Sequence, residues 1–118
     1  MKTLIAAAVL LVGGQWTGNQ KDSVCGVASP PSVTNPATIQ WAIVMKETPE
    51  MKLIVKEKIV RDSPRGRVLL SQAKDRVRRW SRVVMQEHKY DSVWKKIEHP
   101  KKKAKDISRY VIAKMLAK

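Results

Sequence analysis

The sequence predicts an all-α fold, a small irregular bundle of four to five short helices placed after a signal-like N-terminal helix and an extended linker. Three observations lead there. A capping side chain stands directly before proline at Asn35-Pro36, Thr48-Pro49 and Ser63-Pro64; such an oxygen accepts an orphan backbone N–H, while proline at the first helical position has no N–H to leave unpaired. The stretch "RVLLSQAKDRVRRWSRVVMQEHKY", residues 67–90, repeats its apolar side chains at helical spacing. Finally, Asp91 and Asp106 each precede a short amphipathic run, "SVWKKIEH" and "ISRYVIAKMLAK".

The elements follow in order. Residues 1–14, "MKTLIAAAVLLVGG", run from one cation, Lys2, through an apolar core to small residues, the layout of a secretory signal. The apolar run is too short for a bilayer span, which needs roughly 20 residues. A cut after Gly14 is expected, giving a secreted or periplasmic protein, peripheral to a membrane at most. The alternative is a buried first helix in a chain that stays inside the cell. Residues 15–35, "QWTGNQKDSVCGVASPPSVTN", mix Gly, Ser, Thr, Asn and Pro without a period and read as a flexible linker in which Trp16 is either an anchor or exposed.

Residues 36–118 form the expected basic helical domain. Its first helix, 36–47, is the most apolar and is expected to be the most buried. The second, 49–61, is rich in β-branched residues, so 51–60 is open between helix and strand. The third, 67–89, is the longest. At 100° per residue from Leu69, the residues Trp80, Ala73, Val84 and Val77 fall within about 80°, whereas Arg67, Lys74, Arg78, Lys89 and Arg82 fall between about 140° and 220°. Pro100 ends the fourth helix and the fifth closes the chain.

With 118 residues the chain holds one domain. Its single cysteine, Cys25, excludes an internal disulfide framework. The net charge of +14 is unevenly spread: residues 1–45 carry Lys2 and Lys21 against Asp22, leaving 24 − 2 = 22 cations and 10 − 1 = 9 acids for residues 46–118. Such a field selects anionic partners. The candidate anion-binding set is Arg76, Arg78, Arg79 and Arg82 of the long helix, Lys95 and Lys96, and Lys101, Lys102 and Lys103. Arginine forks suit bidentate contact with phosphate or carboxylate.

These features predict an exported, non-enzymatic cationic protein. It would dock on an anionic surface polymer or lipid of the envelope, or on an acidic protein, as an accessory or inhibitor acting by occupancy. The alternative is an intracellular nucleic-acid-binding protein that keeps its first helix, although no helix-turn-helix or zinc-finger spacing supports base reading. No cofactor or small-molecule substrate is indicated: the chain has neither a P-loop nor G-x-S-x-G. Two histidines, each after a glutamate at Glu87-His88 and Glu98-His99, do not make a metal site without H-E-x-x-H, and Cys25 is remote from both. A second alternative, a small wall hydrolase, would use Glu47 and Glu50 at the Thr48-Pro49 corner as its carboxylate pair.

Overall fold

Two of the three cap–proline pairs open helices. In the computed structural model, which describes residues 15–117, Thr48 Oγ1 accepts from the Met51 amide at 3.1 Å and donates to the Met45 carbonyl at 2.8 Å. Ser63 Oγ accepts from Gly66 N at 3.0 Å. Among the described residues the α-helices are α1 (Trp41–Lys46), α2 (Pro49–Lys56), α3 (Pro64–Glu87) and α4 (Ser108–Leu116). Segment 51–60 is thereby helical as far as Lys56. Both α2 and α3 end in the same closure: Lys58 and Lys89 take positive φ (55° and 63°), and the next amide bonds back across the last turn, Ile59 N to Ile54 O at 3.0 Å and Tyr90 N to Met85 O at 2.9 Å.

The third pair, Asn35-Pro36, opens a strand, and the all-α helical bundle is overturned by a four-stranded sheet. Its strands are β1 (Ser23–Gly26), β2 (Pro36–Thr38), β3 (Ser92–Trp94) and β4 (Lys105–Asp106), in the spatial order β1-β3-β2-β4. β1 runs antiparallel to β3, while β2 is parallel to both β3 and β4. Proline is tolerated at the first residue of a strand. The expected helix 36–47 is therefore a strand followed by the short α1, and the expected helix "SVWKKIEH" is β3 followed by a turn. Residues 15–35 are not a flexible linker: they contain β1, two 3-10 turns and the buried Trp16, Val24, Cys25 and Val33. The leader read at 1–14 lies outside the described residues.

Asp91 does not cap a helix. It accepts from the Thr34 amide at 2.7 Å and the Thr34 hydroxyl at 3.0 Å, tying the approach to β2 against the start of β3. Burial disfavours its charge, but these bonds and the Ser92 hydroxyl overcome that and hold its carboxyl below the usual range.

Successive side chains of β3 serve opposite faces of the sheet, as the pleat requires. Val93 joins Ala37, Cys25, Val77 and Val84 under the helices. Trp94 joins Trp16, Val33 and Ile97 on the other side, where its indole N–H donates to Ser92 Oγ at 2.8 Å. α3 contributes the most fully buried side chains, Ala73, Val77, Ser81 and Val84, while Ile43 of α1 stays 46% exposed. Segment 36–47, though not one helix, buries Pro36, Ala37, Ile39, Val44 and Met45, and α3 lies across β1 and β3 over the same core.

Candidate functional site

The carboxyl ends of β2 and β3 point the same way, and the chain leaves each strand in a different direction: residues 39–41 enter α1, while 95–104 cross to β4. Crevices outside the carboxyl ends of parallel strands are the natural ligand positions of such sheets. Here the crevice is a cleft of about 720 Å³, whose walls include Trp41, Lys95, Lys96, Glu98, Lys102 and Lys103.

Each wall is fixed by the backbone. The Lys95 amide donates to Asp22 O at 2.7 Å, and the Ile39 amide to Trp94 O at 3.0 Å. Thr17 and Glu98 exchange a reciprocal pair of backbone bonds, at 2.8 and 2.9 Å. His99 then anchors the lysine-rich crossing: its Nδ1 accepts from the Lys101 and Lys102 amides at 3.0 and 3.2 Å, and its ring lies 4.9 Å from that of Trp16. Because Nδ1 is the acceptor, the neutral ring carries its proton on Nε2.

Trp41 gathers cations from two elements. Lys95 Nζ stands 4.3 Å from the indole ring centroid, and the Arg78 guanidinium carbon of α3 stands 5.4 Å away. Both distances lie within the range at which a ring quadrupole attracts a cation. The indole thus attracts one cation from the exit of β3 and one from α3.

Of the candidate residues, the structure brings Lys95, Lys96, Lys102 and Lys103 to this cleft; Arg78 stands against its Trp41 wall without lining it, and Lys101 is exposed on the same crossing. The remaining arginines go elsewhere. Arg76 grips Glu50 of α2, with Nε to Oε1 at 3.0 Å and Nη2 to Oε2 at 2.8 Å. Arg79 lies beside that pair with Gln72 and Asp75, and Arg82 is exposed. The buried stripe of α3, formed by Ala73, Val77, Ser81, Val84 and Met85, is turned about 50° from the expected stripe, which has Leu69 at one edge and Val77 at the other. Arg76 and Arg78 are themselves about 160° apart on the helix and so lie at opposite edges of this stripe, and the four candidate arginines do not share one face.

Trp41, Thr17, Glu98 and His99 were not among the sequence candidates. Trp41 has the composition of a core residue, and Thr17 and Glu98 meet only through a sheet-like bridge between distant segments. The one local signal is His99-Pro100 before a lysine run, an acceptor placed to cap a turn.

The carboxylates at the Thr48-Pro49 corner are engaged. Glu47 pairs with Lys52 at 3.4 Å. The Arg76 hydrogen bonds hold the Glu50 carboxyl below the usual glutamate range, against the effect of burial, whereas a general acid needs its pKa raised. Burial pushes the Cys25 thiol up to about 11, partly opposed by the charge of Arg82, and Sγ lies 4.0 Å from Met85 Sδ. Among the described residues, no three His, Cys, Asp or Glu side chains are grouped to hold a metal ion. Searches against protein-family models, curated proteins and solved structures find no match to this chain.

Proposed function

We propose that the protein is a non-enzymatic polyanion-binding protein that seats an anionic polymer of the cell envelope in the Trp41 cleft and acts by occupancy. One observation carries this reading. Among the described residues, ion pairs engage Lys52, Arg65, Arg76 and Lys114, and none engages Arg78, Lys95, Lys96, Lys102 or Lys103. Four cations without ion pairs therefore line one cleft, in which Glu98 is the single acid, and a fifth, Arg78, stands against its Trp41 wall. Their mutual repulsion is relieved when a polyanion enters, and walls held by backbone bonds require little ordering on binding. The signal-like leader supports export, and a cut after Gly14 would spare both Trp16 and the Thr17–Glu98 bridge.

The aromatic ring in the cleft also favours a second reading, single-stranded nucleic acid, since cationic grooves that take single strands combine backbone charges with a stacking ring. Retention of the full chain on lipopolysaccharide, heparin and single-stranded DNA columns across a salt series ranks the two. The envelope reading expects the longest retention on lipopolysaccharide, with loss of retention in Arg78→Glu combined with Lys95→Glu. It also expects a mature N-terminus near Gln15 by mass spectrometry. Stronger binding to DNA together with an intact Met1 would establish the nucleic-acid reading instead, and unaltered retention of the double variant would reject the cleft.

A further inference from the structure

The two most exposed large apolar side chains among the described residues, Val55 at 70% and Val60 at 67%, stand close in sequence, at the end of α2 and just beyond it. Between α1 and this turn lies a depression of about 480 Å³ lined by Lys46, Met51, Lys52, Val55, Lys56 and Arg61. Its lining is thus apolar residues with four cations and no carboxylate. Lys52 shares its charge with Glu47, while Lys46, Lys56 and Arg61 take part in no ion pair among the described residues. At 100° per residue, α2 turns Met51 and Ile54 inward, sets Val55 about 40° from Met51, and places Lys52 and Lys56 at about 100° and 140°.

We infer that this side of α2 and the following turn form a second docking patch, separate from the cleft, for the surface of a bilayer containing anionic phospholipid. The arrangement is that of an interfacial helix: short apolar groups enter the headgroup boundary while lysine stems lie along the surface and keep their ammonium groups with the phosphates. A protein occupant is a poorer fit. The eight residues of α2 span about 12 Å, little of the roughly 800 Å² per partner that a stable interface buries. A second copy would bring the same cations and another +14 of net charge against them. An anionic lipid surface supplies the complementary charge without needing a shaped partner. The inference goes beyond the polymer cleft and does not depend on it.

Co-sedimentation of the full chain with vesicles tests it, using phosphatidylcholine alone and phosphatidylcholine mixed with phosphatidylglycerol. Binding is expected to the mixed vesicles only. Lys46→Gln with Lys56→Gln should weaken it by about 25-fold, taking about fivefold per cation near the surface. Val55→Ser with Val60→Ser should weaken it by about tenfold, with circular dichroism unchanged because both side chains already face solvent. The cleft variant Lys95→Gln with Lys102→Gln should bind vesicles nearly as the parent does. The inference is overturned by absence of binding, by equal binding to both vesicle types, or by binding lost in the cleft variant and kept in the α2 variants. Self-association abolished by the valine substitutions would also overturn it, since the patch would then join two copies. None of these outcomes bears on polymer retention by the cleft.

Discussion

Neutralising Lys95 and Lys102 together, as Lys95→Gln with Lys102→Gln, should change the salt dependence of polyanion binding by an amount set by the structure. Among the described residues, four cations without ion-pair partners line the cleft and a fifth, Arg78, stands against its Trp41 wall. If each neutralises one phosphate of a flexible single chain, at about 0.7 per contact, the slope of log K against log salt is about −3.5, and the double variant leaves about −2.1. Between 50 and 200 mM salt the parent should lose roughly 130-fold in affinity and the variant roughly 20-fold. Fluorescence anisotropy with a labelled inorganic polyphosphate chain measures both slopes. Arg67→Gln with Lys74→Gln removes the same charge from exposed positions on α3 that do not line the cleft. If that control flattens the slope as much as the cleft variant does, the whole molecular field binds the polymer and the convergence at Trp41 is irrelevant.

Four further outcomes follow from the packing. Glu50→Gln leaves the half-buried Arg76 without its partner and should cost about 1–2 kcal/mol at neutral pH in urea unfolding, allowing for the remaining exposure of Arg76. Because the folded carboxyl titrates below the unfolded value near 4.5, the pair's contribution is complete above that pH and fades as pH falls through the folded value; the variant should lose less stability on acidification than the parent. Thr48→Val removes both the cap to Met51 and the bond to Met45 at a fully buried position, for about 2 kcal/mol and a melting temperature lower by roughly 8–16 °C, whereas Thr48→Ser should stay within about 1 kcal/mol. Gly66→Ala should lower the urea midpoint despite better helix propensity, because the added Cβ would sit 2.1 Å from Val60 O and 2.8 Å from Arg61 O; a cost of about 1–3 kcal/mol is expected. Ser81→Ala should leave stability unchanged or raise it by up to about 1 kcal/mol in the same assay, since the buried Oγ has no hydrogen-bond partner among the described residues.

Local chemistry was legible where it was sufficient by itself. Thr48-Pro49 and Ser63-Pro64 start helices because the cap bonds and the proline ring act within four residues. Asn35-Pro36 begins with the same pattern, but its outcome depends on Ser92 and Val93, which pair with Pro36 and Ala37 from more than fifty positions away. β3 has three residues, too few for alternation to show, and all three are buried. Four-residue β1 is broken by an irregularity between Ser23 and Cys25, so its Gly, Ser and Cys content reads as loop. The cationic excess was visible, and helical spacing already separates Arg76 from Arg78; what was not visible is the orientation of α3, which buries Ser81 and Met85 more fully than Leu69 and Trp80, and no helical count decides that. Lys95, Lys96, Lys102 and Lys103 were candidates from charge alone; what unites them is the shared direction of β2 and β3 and the crossing that follows.

The spatial order of the strands also governs when the body can close. β3 lies between β1 and β2 although it is made after both, with three helices intervening. Until residues 92–94 leave the ribosome, the two earlier strands have no backbone partner between them, and α3 has only part of its floor. Three helices are therefore made before the sheet that carries them can close, and residues 92–106 complete it by supplying the central strand and the β4 edge.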